Sequence, residues 1–198
     1  MRFSAFLLLA LFSPALAQAQ SPAATRIRGD VTAVQGADIT VKPTDGASVT
    51  VHLNDNYQVA AITKGSMADI KTGTFIGAGA RPQPDGSLQA VQIVIFPEAM
   101  RGTGEGHRAW GVLPEATMTN ATVAEAVTGV AGPILTLKYK DGEKKLAISG
   151  DATILTLIPA TKAELVTGAQ IQLFATKSAE GALQAGRVTI LRDGVNPM

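Results

Sequence analysis

The amino-acid sequence predicts an all-β protein made of two similar units, and three observations carry that prediction. Apolar and polar residues alternate over short runs. Val49, Val51 and Leu53 share one face while Thr50 and His52 share the other, Ile39 and Val41 alternate likewise, and so do Leu135, Leu137 and Tyr139. Glycine follows an acidic residue between such runs, at Asp45-Gly46, Asp85-Gly86, Asp141-Gly142 and Glu180-Gly181. A tight hairpin turn needs a residue there that tolerates positive φ. Finally, segments recur at a spacing of 95 or 96: GSLQA at 86–90 returns as GALQA at 181–185, Val31-Thr32 as Val127-Thr128, and Asp45-Gly46 as Asp141-Gly142. Matches in one order along one register point to a tandem duplication.

The elements follow in order from the N-terminus. The chain opens MRFSAFLLLALFSPALAQAQ, with one Arg, an apolar run from Ala5 to Phe12, Pro14, and two A-x-A sites ending at Ala17 and Ala19. That is the pattern of a secretory signal peptide over residues 1–19, and the run is too short to span a bilayer. A periplasmic or secreted location follows, with no stable membrane insertion after cleavage.

Strands are expected at 27–34, 38–43, 47–53, 74–80 and 88–96, and again at 123–130, 133–139, 143–149, 169–175 and 183–191. One short helix is expected in each unit, at 66–71 and 161–167. Ser66-x-x-Asp69 and Thr161-x-x-Glu164 have the form of a capping box, and Gly73 and Gly168 end the segment. Five strands with a helix between the third and fourth is the order of an OB-like small barrel. The expected organisation is therefore a signal peptide at 1–19, an OB-like five-stranded barrel at 26–97, an ordered connector at 98–121 and a second OB-like barrel at 122–192.

Composition narrows the chemistry. The sequence has no Cys, which removes thiol nucleophiles, disulfides and Cys-ligated metal centres. Loss of Arg2 with the signal leaves 16 basic against 16 acidic side chains. A neutral surface with few aromatics gives no electrostatic reason to expect nucleic acid as a partner.

The stretch FPEAMRGTGEGHRAWGVLPEATMTNATV, residues 96–123, is unlike either flank. Its Gly102-x-Gly104-x-Gly106 lacks the preceding strand and following helix of a phosphate loop, so these glycines read as points where a connector bends. There is no G-x-S-x-G elbow, and Glu98, Glu105 and Glu115 have only proximity in sequence to suggest carboxylate chemistry. No catalytic residue is assigned. A lone Trp flanked by arginines makes a better case. The favoured reading is that Trp110 tucks against a barrel and orders the connector. The alternative is a recognition surface, since guanidinium groups stack on indole and bind anions. The candidate ligand-binding residues are Arg101, Glu105, His107, Arg108 and Trp110. His107 and Glu105 are also the candidate ligands for a divalent metal, although a protein site normally supplies three or four. The apolar residues Phe96, Met100, Trp110, Val112 and Leu113 make the connector a poor flexible linker.

RIRGDVTAVQGADITVKPTDGASVTVHLNDNYQV followed by SMADIKTGTFIGAGA resembles a bacterial family of exported tandem OB-like domains of unknown function. The match rests on Gly29, Val31, Val34, Gly36, Asp45 and Gly46, then on Asp69 to Gly73. The second half fits more loosely, with Glu125 at the opening glycine position. The FPEAMRGTGEGH…TMTNATV stretch resembles a subgroup signature sometimes labelled metal-transporter permease, although no second membrane-length run follows the signal. The resemblance implies an OB-like fold and export, and it implies no reaction. The expected function is a non-enzymatic periplasmic binding or interaction module for a small ligand or an envelope protein, with no cofactor. The alternative is a periplasmic metal-binding protein linked to metal transport.

Overall fold

A computed structural model describes residues 24–129 and 132–198, so the expected signal peptide lies outside the described residues. The strands are β1 (Thr25–Gln35), β2 (Asp38–Pro43), β3 (Val49–Lys64), β4 (Phe75–Pro82), β5 (Leu88–Ile95), β6 (Gly106–Ala109), β7 (Thr117–Gly129), β8 (Gly132–Tyr139), β9 (Gly142–Ala147), β10 (Thr153–Pro159), β11 (Gln170–Lys177) and β12 (Leu183–Leu191). The protein is all-β, as its alternation predicts.

Five strands close into a barrel. β1, β2 and β3 form an antiparallel meander, β3 runs parallel to β12, β12 pairs antiparallel with β11, and β11 returns antiparallel to β1. A second ring has the same plan. β7, β8 and β9 form the meander, β9 runs parallel to β5 through Leu88↔Leu146 and Gln89↔Ala147, and β5 pairs with β4, which pairs with β7. Inward residues of each ring form a separate apolar core. The first includes Val31, Ile39, Val51, Leu173 and Val188, and the second includes Ile76, Ile93, Val123, Leu135 and Leu146.

The rings do not follow the division of the sequence into 26–97 and 122–192. Each takes a three-strand meander from one half and its last two strands from the other. The cause lies in β3. It is 16 residues long, contains neither Gly nor Pro, and continues well past the expected end at residue 53. At about 3.3 Å per residue it spans roughly 50 Å, which carries the chain out of the first barrel before β4 begins. The corresponding stretch of the second half breaks at Ser149-Gly150 into β9 and β10, where a single strand was expected at 143–149.

Where the chain crosses, β12, β3, β10 and β5 lie side by side. β3 and β10 pair antiparallel with Ile62 opposite Leu157, flanked by the parallel pairs Val59↔Val188 and Ile93↔Ile154. A third apolar cluster, with Ala60, Ile62, Leu155, Leu157 and Val195 buried and Phe96 and Met100 packed on it, seals this junction.

The two expected helices are only single 3₁₀ turns, Met67–Asp69 and Lys162–Glu164. The acidic residue of each motif does reach back. Asp69 Oδ2 accepts from Ser66 N at 2.9 Å and Glu164 Oε1 from Thr161 N at 2.9 Å. The helices stop because the next residue turns inward: Ile70 is buried in the second core and Leu165 in the first. Each turn thus plugs the ring that holds the meander of the other half.

Candidate functional site

Residues 96–116 lie on the outside of the second ring, and the candidate residues hold them there. The 3₁₀ turn Glu98–Met100 places Arg101 so that Nε and Nη2 meet both Glu98 carboxylate oxygens, at 2.5 and 2.6 Å. Arg101 Nη2 also donates to the Gly73 carbonyl at 2.8 Å, and Nη1 to Thr122 Oγ1 at 3.2 Å. Glu105 Oε1 accepts from Lys140 N at 3.1 Å, on the turn between β8 and β9.

β6 then pairs antiparallel with β7, which begins at Thr117 and so reaches back into the expected connector. His107 sits opposite Thr119, with Nδ1 2.8 Å from the buried Thr119 Oγ1, and its ring stacks on Tyr139 at 6.4 Å. Burial, reinforced by the nearby Lys144 charge, holds the His107 pKa below its ordinary value. Arg108 is exposed and Nη1 donates to the Gly104 carbonyl at 2.8 Å. Among the described residues no three His, Asp or Glu side chains come together as a metal would require.

Trp110 lies flat on β4. An ideal Cβ built on Gly79 would stand 2.4 Å from the indole, and one on Gly77 would stand 2.9 Å from Asn120 Oδ1 and 3.0 Å from the Phe96 ring. Two glycines on the outward face of β4 thus make room for two aromatic side chains. The 95-residue register places Gln172 and Phe174 at the corresponding positions of β11. These positions are not covered in the same way: Phe174 is 52% exposed.

The difference leaves a cleft of about 290 Å³ between the rings. Gly77, Phe96 and Asn120 form one wall, Gln172, Phe174 and Arg187 the other, and Leu157 of the junction lies between them. A neighbouring hollow of about 390 Å³ runs on between Trp110, Val112, Phe174 and Arg26. Trp110 is therefore the candidate residue that lines the hollow beside the cleft, whereas Arg101, Glu105 and His107 fasten the connector. Gln172 Oε1 is buried with no hydrogen-bond partner, an arrangement that is rare for an amide oxygen. The Arg187 Nη2 atom donates to Gln58 Oε1 at 2.9 Å.

Sequence reasoning missed Gln172, Phe174, Arg187 and Arg26. A signal for Phe174 was available: Ile171, Leu173 and Ala175 alternate inward, so an aromatic between them points to the polar face. Comparison with family models, with curated proteins and with solved structures finds no match to this chain.

Proposed function

We propose that the chain is a non-enzymatic binding or interaction module of the bacterial periplasm, built from two duplicated OB-like barrels that have exchanged their last two strands. The ligand occupies the cleft between the rings. The observation that carries this reading is a hydrophobic cleft with an exposed aromatic, Phe174, beside a buried and unpartnered acceptor, Gln172 Oε1. Concave apolar sites holding a few polar groups are where small molecules bind. The OB-like assignment is supported by the order of each ring, in which the third and fifth strands run parallel. The signal-like N-terminus supports export.

The test uses the fluorescent aromatic anion 1-anilinonaphthalene-8-sulfonate. The folded protein is expected to bind it at one site, with quenching of Trp110, and Phe174→Ser is expected to abolish that binding without lowering the melting temperature. Binding that survives Phe174→Ser, or no binding at all, overturns the cleft as the site.

A further inference from the structure

We propose that the ligand of this cleft is a small aromatic acid that carries its own hydrogen-bond donor, a compound of the hydroxybenzoate class. The inference rests on the cleft being a binding site and adds the chemistry of the occupant.

Size comes first. At about 290 Å³ the cleft lies just below the usual range for ligand pockets, which limits the occupant to a single substituted ring. Shape and polarity come next. Val94, Phe96, Met118, Leu157, Leu173 and Phe174 supply an apolar lining with two aromatic rings, which favours a planar body able to stack.

Charge then selects an anion. Arg187 lines the cleft and Arg26 lines its continuation past Phe174, while no Asp or Glu lines either space. Among the described residues neither arginine is ion-paired. Arg28, two residues along β1 from Arg26, lines neither space and is held by Asn196 Oδ1 and the Pro197 carbonyl. Arg187 gives one N–H to Gln58 Oε1 and keeps the rest of its fork for a ligand. Guanidinium groups beside an apolar wall match a carboxylate attached to a ring, because the fork of N–H donors fits two oxygens.

The orphan acceptor supplies the last constraint. Gln172 Oε1 needs an N–H or O–H donor, which a bare carboxylate lacks and a phenolic hydroxyl provides. Gln172 lies opposite Arg28 on β1 and Thr189 on β12 in the ladders, on the same outward face as Phe174, and it lines the cleft. Its Oε1 has no accessible surface, so accepting from a ligand requires the amide to turn toward the cleft.

Isothermal titration of the mature protein with 4-hydroxybenzoate, benzoate, 4-hydroxybenzyl alcohol and decanoate tests this. The hydroxy acid is expected to bind tightest. Removing either polar group is expected to weaken binding about tenfold, the effect of one unmade hydrogen bond to a buried or charged partner. Gln172→Leu is expected to erase the preference for 4-hydroxybenzoate over benzoate, and Arg187→Gln the preference for the acid over the alcohol. The ranking in the wild-type protein needs no variant to fold. Tightest binding of decanoate, or equal affinities across the four compounds, overturns the assignment. Retained anilinonaphthalene sulfonate binding with no heat from 4-hydroxybenzoate overturns the ligand class and leaves the cleft standing. Loss of both overturns both proposals.

Discussion

Ile62 and Leu157 face each other across the antiparallel ladder of β3 and β10, and they are 95 residues apart, the spacing at which the sequence repeats. The pair marks a local two-fold relation. On one side Val59 pairs with Val188 and on the other Ile93 pairs with Ile154, so each partner shifts by the same 95 residues. The two rings meet at this ladder and share their strands through it.

Shared strands make the rings one folding unit. Leu173→Ala, deep in the first core, is expected to destabilise the protein by about 2–5 kcal/mol. The sole Trp reports on the second ring. Urea unfolding followed by Trp110 fluorescence and by far-ultraviolet circular dichroism should shift together in this variant. A fluorescence midpoint that stays at the wild-type value would show independent rings.

Gly79→Ala places a methyl group inside the indole of Trp110. The backbone of a central strand cannot yield, so the ring must leave. Expected outcomes are a loss of about 1–3 kcal/mol, the usual result of overpacking, and a red-shifted emission maximum. An unshifted emission spectrum would mean that Trp110 does not rest on Gly79 in solution.

Arg101→Ala removes the bonds to Glu98, Gly73 and Thr122 that clip the start of the connector to the turn before β4 and to β7. These groups are exposed, so the melting temperature is expected to change little. Local opening is a different quantity, and tryptic cleavage at Arg108 should accelerate in the variant. Cleavage of the wild-type connector at the rate of an unfolded chain would remove the ordered strap altogether.

His107 gives a pH dependence with a definite sign. Its pKa is held below the ordinary 6.5 by burial first and by Lys144 second. Above that value both folded and unfolded chains carry a neutral ring. As pH falls through 6.5 the unfolded chain takes up the proton first, so this residue progressively disfavours the folded state until the lower folded pKa is also passed. His107→Gln should flatten that part of the stability profile. An identical slope between pH 6.5 and 5 in both proteins would assign it elsewhere.

Processing is read directly by mass. Expression in a Gram-negative host should yield a periplasmic chain beginning at Gln18 or Gln20, after the two A-x-A sites. Recovery of an intact Met1 would contradict export by cleavage.

Much of this architecture was legible in local pattern. Alternation at Ile39 and Val41 or at Leu135 and Leu137 places those residues in the cores where they are found. The capping residues Ser66 and Thr161 lie at real turns. What local pattern does not contain is the partner of a strand: nothing in Val188 says that it will lie beside Val59 and not Ile93, since both positions fit either barrel equally well. The sequence match of Val31 with Val127 also misleads. In the ladders Val31 lies opposite Val41 and Val123 opposite Leu137, because the second hairpin is four residues longer. Site residues were legible where they cluster in sequence, as around Trp110. Gln172, Phe174 and Arg187 are brought to Phe96 and Asn120 only by the strand exchange, so no window of the sequence displays them together.

The exchange also sets the order in which the protein can be completed as it is made. The ring that holds the N-terminal strand β1 needs β11 and β12, whose last residue is Leu191, while the other ring has all five strands by Ala147. The middle of the chain can therefore close first, and the N-terminal meander waits, with its apolar face uncovered, for the final strands to arrive. Ordinary multidomain chains fold their N-terminal domain as it emerges. This one cannot close its first barrel until nearly the whole chain is present.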